Sequence, residues 1–141
     1  MRVLVTGGLG FIGTELCRAL GQLGHETVIV DSVTTQVHGE TPVFDLPPGA
    51  NLVRLDVRDI AQRPELLEGV DTVFHLAAET GTAQSMYRIQ HYVDVNERGT
   101  AALLEAIAQA TSRPRRVILT SSRSVYGEGA YRDQDGAIVH P

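Results

Sequence analysis

The stretch Val5-Thr6-Gly7-Gly8-Leu9-Gly10-Phe11-Ile12-Gly13 constrains this chain more than any other segment. An apolar run, Val3 to Thr6, leads straight into glycines at positions 7, 10 and 13, and apolar residues at helical spacing follow. Strand, glycine turn and helix in that order suit the pyrophosphate of a dinucleotide. Gly7 permits the tight turn, Gly10 lets the backbone approach the phosphates, Gly13 allows close helix-to-strand packing, and the helix N-terminus attracts negative charge. The helix is read from Phe11, Ile12, Leu16, Ala19, Leu20 and Leu23, with Gly24 as its stop signal. A glycine triplet alone is weak evidence. Here Asp31 closes the second apolar run, 18 positions beyond Gly13, where a carboxylate can accept hydrogen bonds from ribose hydroxyls. No Arg stands beside it and a 2′-phosphate would meet like charge, so NAD is expected over NADP.

Elsewhere the pattern alternates between short apolar runs and stretches of helical period. Strands are expected at Val3–Thr6, Glu26–Val30, Asn51–Asp56, Thr72–Leu76 and Arg116–Thr120. A helix from Val93 to Ala110 carries Val95, Gly99, Ala102, Leu103, Ala106, Ile107 and Ala110 on one face, and another is expected to begin near Gln84. Ser32 to Ala50 has no clear period and reads as a long loop, more suited to function than to passive connection. After Gly127 the pattern dissolves. Runs apolar on successive residues, such as Val3-Leu4-Val5, imply strands covered on both faces. The expected fold is α/β, a doubly wound Rossmann-type sheet, mostly parallel, with strand order 3-2-1-4-5.

The length, 141 residues, suits one domain spanning 1–141, and a net charge of −5 argues against nucleic-acid or anionic-membrane partners. Arg113, Arg115 and Arg116 are the densest basic group and read as the solvated end of a helix. Cys17 is the only cysteine, which excludes an internal disulfide and a cysteine-based zinc cluster; no metal is expected. No apolar run approaches the ~18 residues of a membrane span and no signal peptide is evident, so a cytoplasmic protein is expected. All 12 basic residues are Arg, and the chain contains no Lys.

Three further segments carry candidate chemistry. Asp56, in Leu55-Asp56-Val57-Arg58-Asp59, stands at the end of the third strand; taken alone it reads as a cap or turn residue. His75 reads as a packed core histidine, because no carboxylate partner is evident nearby, and the small residues after Leu76, Ala77 and Ala78, let backbone pass close to a ligand. Thr120-Ser121-Ser122-Arg123-Ser124-Val125-Tyr126 sets several hydroxyls at the end of the last strand, which alone is ordinary turn chemistry.

Taken together, in this order and at these separations, the glycine turn, Asp31, the Asp56 and His75 segments, Val93-Asp94-Val95-Asn96-Glu97-Arg98-Gly99-Thr100 and the hydroxyl cluster resemble the extended short-chain dehydrogenase/reductase family. The likeness is to its nucleotide-sugar epimerase and dehydratase branch, and more narrowly to dTDP-L-rhamnose 4-epimerase-like members. The resemblance implies an NAD-dependent 4-epimerase acting on a nucleotide sugar, a dTDP-linked deoxysugar among the candidates, through a transient 4-keto sugar. It implies that Gly7, Gly10, Phe11, Ile12 and Gly13 cradle the pyrophosphate, that Asp31 and Ser32 hold the adenosine ribose, and that Asp56 with Val57 meets the adenine. Leu76, Ala77, Ala78 and Thr80 would run under the cofactor, and Asn96 would stand on the cofactor side, with a helix cap as its plain alternative. Glu79, Thr82, Ser122 and Ser124 would approach the substrate, a solvated Glu79 being nearly as natural. Ser122 would be the catalytic hydroxyl. Arg123 and Ser124 replace the Asp-Glu pair of the family's dehydratases, which favours epimerisation over elimination.

The family's Tyr-x-x-x-Lys pair is missing. Four residues after Tyr87, Tyr92, Tyr126 and Tyr131 stand His91, Asn96, Ala130 and Asp135. The expectation is therefore an N-terminal portion of a longer, homodimeric enzyme, lacking the later strands and the sugar-binding domain, and inactive alone. A dehydratase or reductase of the same family, and a non-catalytic NAD-binding module, are the alternatives.

Overall fold

The five short apolar runs form one parallel sheet: β1 (Arg2–Thr6), β2 (Glu26–Asp31), β3 (Ala50–Arg54), β4 (Thr72–His75) and β5 (Arg116–Leu119). The order is β3-β2-β1-β4-β5, as expected. A computed structural model describes residues 1–126 and 129–140 of the chain. Because β1 pairs with β2 on one side and β4 on the other, the chain's connections diverge at its C-terminal end and open a crevice there. Thr6, the last residue of β1, stands level with Val30 and His75 across the sheet.

Alternate strand residues face opposite layers. Leu4, Val28, Val30 and Val73 meet Val57, Ile60, Leu67 and Leu103 on one face; Val3, Val5 and Ile29 meet Cys17 and Leu20 on the other. Leu4 and Ile29 are almost wholly removed from water, worth about 1.5–3 kcal/mol each in transfer free energy. On the first face lie 3-10 turns at Val57–Gln62 and Pro64–Leu67, and one continuous helix built of α4 (Ile89–Val93), a π-helical stretch (Asp94–Arg98) and α5 (Gly99–Gln109). Gly99, Leu103 and Ala106 bury that helix, on the face its sequence period indicates.

Helix α1 (Phe11–Gln22) covers the other face, but its seam differs from the periodicity reading. Gly13, Cys17 and Leu20 are buried, whereas Phe11 and Leu23 are 95% and 71% exposed and Ile12 is also exposed. The helix leans on the turn before it through Gly13, which rotates Phe11 and Ile12 to the rim. Burial pushes the Cys17 thiol up to about 11, so at neutral pH it is a core thiol rather than a nucleophile.

Other departures are local. The expected 32–50 loop contains one helical turn, α2 (Thr35–His38). β3 stops at Arg54, short of the expected Asp56, because Asp56 turns to cap the following 3-10 helix. A small helix, α3 (Thr82–Ser85), precedes Gln84's expected start by two residues. Beyond Gly129, where no structure is expected, β6 (Tyr131–Arg132) pairs antiparallel with β7 (Ile138–Val139). The signal there is Asp135-Gly136, whose glycine takes φ +81°. Among the described residues no helix is long and apolar enough to cross a membrane.

Candidate functional site

The crevice is lined first by the glycine turn. Gly7 takes φ +69°, its N–H donates to the Val30 carbonyl at 2.8 Å, and a Cβ there would lie 2.6 Å from the Ala77 nitrogen. The small residues after β4 are thus needed by the turn itself. At Gly13 a Cβ would lie 2.3 Å from the Gly7 carbonyl oxygen, so α1 starts pressed against the turn, not against a strand. Gly10 is the N-cap and supplies no capping side chain, and the first turn of α1 holds no acidic residue. The N–H groups of Phe11, Ile12 and Gly13, which have no acceptor within the helix, are left to an anion at this terminus. That donor set fits a pyrophosphate.

Asp31, 8% exposed, does more than terminate β2. Its Oδ2 accepts from the Leu9 N–H at 3.0 Å, tying β2 to the glycine turn, and its Oδ1 accepts from the Val33 N–H at 2.9 Å. That second bond holds Val33 at φ +54°, a conformation a β-branched residue rarely adopts. Ser32, between them, is exposed. Sequence reasoning missed His38, at the end of α2, whose Nε2 lies 3.6 Å from Asp31 Oδ1 while its ring packs edge-on against Phe44. Because it stands seven residues away along the chain, only the turn of α2 brings it back.

Asp56 caps the 3-10 helix: Oδ1 accepts from the Arg58 backbone N–H at 2.9 Å, and the Arg58 guanidinium grips both carboxylate oxygens. This is the plain reading of the residue. The Arg58 hydrogen bonds hold the Asp56 carboxyl below the usual carboxylate range. Arg58 also binds Asp94, which pairs with Arg98, so the network staples the 3-10 helix to the π-helical stretch. The Val57 side chain turns into the core, where it packs against Gly99.

His75, 3% exposed, is a core histidine as its context suggests, and its partners are hydroxyls. Thr6 Oγ1 lies 2.6 Å from Nδ1 and Thr100 Oγ1 lies 2.9 Å from Nε2. Burial lowers its pKa. Asn96 is not a helix cap. It sits inside the π-helical stretch, accepting the Glu79 N–H at 2.8 Å and donating to the Glu79 carbonyl at 3.1 Å. Nor is Glu79 solvated: its side chain is 18% exposed and lies 3.3 Å from His91. A cavity of about 330 Å³ opens here between Glu79, Thr80, Thr82, Tyr92 and Asn96. Ala78, Thr80 and Thr82 are exposed, Leu76 and Ala77 partly covered. A larger cavity, about 610 Å³, lies between α1 and residues 43–48 and reaches the turn only through Gly8 and Leu9.

The hydroxyl cluster is anchored to the same strand end. The His75 carbonyl accepts both the Thr120 N–H at 3.3 Å and the Thr120 hydroxyl at 3.0 Å. Ser122 follows, exposed, with its carbonyl accepting from the Val125 N–H at 3.2 Å. The side chains of Arg123 and Ser124, and all of Gly127 and Glu128, lie outside the described residues.

Residues 3–139 match the model of the NAD dependent epimerase/dehydratase family. Over 144 aligned residues the chain is 40% identical to dTDP-L-rhamnose 4-epimerase of Burkholderia thailandensis, covering 99% of itself and 39% of that enzyme. It is 35% identical to a UDP-glucose 4-epimerase of Klebsiella pneumoniae, over 91% of this chain and 94% of that one. Among solved structures, the UDP-glucose-4-epimerase of Stenotrophomonas maltophila, crystallised with NAD and formylated UDP-arabinopyranose, superposes with a TM-score of 0.73 at 34% identity. The match covers 90% of this chain and 38% of that one, so the chain spans about two fifths of both the Burkholderia and the Stenotrophomonas enzymes.

Proposed function

Since this chain belongs to the NAD dependent epimerase/dehydratase family, we propose that it forms the NAD-binding part of a nucleotide-sugar 4-epimerase, with a dTDP-linked deoxysugar as substrate. The observation that carries the reading is the start of α1: three N–H donors without a capping side chain, pressed onto a glycine turn where the strand order reverses. Bound there, NAD supplies the hydride acceptor and donor for C4 of the sugar. The N–H groups of Phe11, Ile12 and Gly13 hold the pyrophosphate. Asp31, besides fixing Leu9 and Val33, keeps lone pairs for the ribose hydroxyls and repels a 2′-phosphate. Asp56 contributes mainly through position, since Arg58 takes both its oxygens.

Ser122 stands at the end of β5, pinned by Thr120 to the strand that leads into Ala77–Thr80, and donates its hydroxyl to the sugar 4-oxygen. Glu79 and Thr82 border the cavity of about 330 Å³ and orient the sugar. With no Lys in these 141 residues, the proton from that oxygen goes to a Tyr activated by a Lys, both outside this chain. Without them the chain alone binds cofactor and turns nothing over. The complete enzyme is cytoplasmic and works as a homodimer.

The test is Ser122→Ala in the complete reading frame, assayed for epimerisation on a panel of dTDP- and UDP-sugars. A loss of about 100-fold or more in kcat, with NAD affinity kept, is expected. Unchanged turnover overturns the role of Ser122. Release of a 4-keto-6-deoxy sugar in place of an epimer overturns the epimerase assignment in favour of a dehydratase.

A further inference from the structure

The segment between β4 and α3 has no regular structure, yet its backbone lies against the glycine turn. Two sets of contacts fix it, and both run to one imidazole. At the near end, the Leu76 N–H donates to the Thr6 carbonyl at 3.0 Å and the Ala77 N–H reaches the Thr6 hydroxyl at 3.4 Å. At the far end, Asn96 clamps the Glu79 peptide from both sides. The main-chain carbonyl of Asn96, whose side chain makes that clamp, accepts the Thr100 hydroxyl at 2.6 Å. Between the two hydroxyls stands His75.

This chain of bonds has one consistent proton assignment. The Thr100 proton is committed to the Asn96 carbonyl, so Thr100 Oγ1 accepts from His75 Nε2–H. Nδ1 is then bare and accepts the Thr6 hydroxyl proton, which leaves Thr6 Oγ1 free to accept the Ala77 N–H. The other tautomer would leave the Thr6 proton without an acceptor and the 2.6 Å contact at Asn96 without a proton. Each partner is thereby directional, and a buried network satisfied in one arrangement only is rigid. Thr6 and His75 end β1 and β4 and Thr100 stands in the first turn of α5, a meeting of three elements that no local sequence pattern reveals.

We propose that His75 is a positioning residue, which as its neutral Nε2–H tautomer locks both ends of Ala77–Glu79 and so holds the floor of the cofactor crevice. The cofactor part of this inference rests on the reading of the crevice as an NAD site.

The test compares Thr100→Val, which keeps the shape and removes the hydroxyl, with Thr100→Ser, which keeps the hydroxyl. Three quantities are read on the chain: the His75 ring-nitrogen shifts, amide exchange at Glu79 relative to the core amide of Val28, and the dissociation constant of NAD. The wild type should show the Nε2–H form. Thr100→Val should speed Glu79 exchange about tenfold beyond any change at Val28 and weaken NAD about tenfold, as expected for one buried partner removed, and Thr100→Ser should restore both. An Nδ1–H tautomer, equal changes at Glu79 and Val28, or Val and Ser variants that behave alike would overturn the relay. Faster Glu79 exchange with unchanged NAD affinity would overturn its role in positioning for the cofactor. If the wild type binds no NAD, the cofactor reading fails, and the tautomer and exchange data still decide the relay.

Discussion

Replacing Gly13 with Ala sets two known effects against each other. In an ordinary helix interior the change stabilises by about 1 kcal/mol, since Gly is the poorer helix former. At this position the new methyl would sit 2.3 Å from the Gly7 carbonyl oxygen and 2.6 Å from the Gly8 Cα. These are backbone atoms, and Gly7 is itself held by its N–H bond to Val30 and by contact with Leu76 and Ala77. No side chain can swing aside, so α1 must lift from the turn. Overpacking of this kind costs about 1–3 kcal/mol, and a contact this short against backbone belongs at or above the upper end. The net expectation is a loss of about 2 kcal/mol, or roughly 4–8 °C in Tm for a domain of this size. Urea denaturation followed by circular dichroism measures the first, and NAD titration should show weaker binding as the start of α1 moves. A Gly13→Ala chain as stable as the wild type, with unchanged NAD affinity, would refute the close approach of helix and turn.

Three further outcomes follow from the geometry. The His75 pKa is lowered by burial, so between the unfolded value near 6.5 and the folded one the unfolded state binds the extra proton; stability should therefore fall as pH drops below about 6.5. The slope assigned to His75 approaches ~1.4 kcal/mol per pH unit at most, and denaturation of His75→Gln at pH 7 and 5 should show that contribution gone. Arg58→Met should cost about 1 kcal/mol by removing the guanidinium that bridges Asp56 to Asp94, although Asp94 keeps Arg98, with the loss reduced in high salt, as paired denaturation curves would report. Val33→Gly relieves the strain of φ +54° but removes a side chain that is 7% exposed, so its net cost should fall below the ~1.5–3 kcal/mol expected for truncating an unstrained buried Val; a loss of that full size in the same assay would contradict strain at Val33.

What the sequence disclosed was whatever a local pattern encodes. Val3-Leu4-Val5 and Thr27-Val28-Ile29-Val30 are apolar on both faces because both faces are covered, and the strand order expected of a doubly wound sheet is the order found. Periodicity failed on α1 because it counts apolar residues, whereas the seam is set by the absence of a side chain at Gly13. It failed after Gly129 because two-residue strands leave no period to detect. The candidate site was legible as a set of residues but not as a network. Asn96 against Glu79, His75 against Thr6 and Thr100, and His38 against Asp31 join residues 7 to 69 positions apart, and the partners are set by which strand ends the sheet brings together. Asp56 shows the converse, since its cap and its bond to Arg58 are local and the plain reading sufficed.

The central claim is that the glycine turn, the open start of α1 and Asp31 make one NAD site. Calorimetric titration of NAD and NADP into the wild type and Asp31→Ala chains tests it most directly. The account expects NAD to bind the wild type at least about tenfold more tightly than NADP, and Asp31→Ala to weaken NAD more than NADP, narrowing that gap. Absence of NAD binding to the folded wild type, or equal loss of both cofactors on substitution, would contradict it.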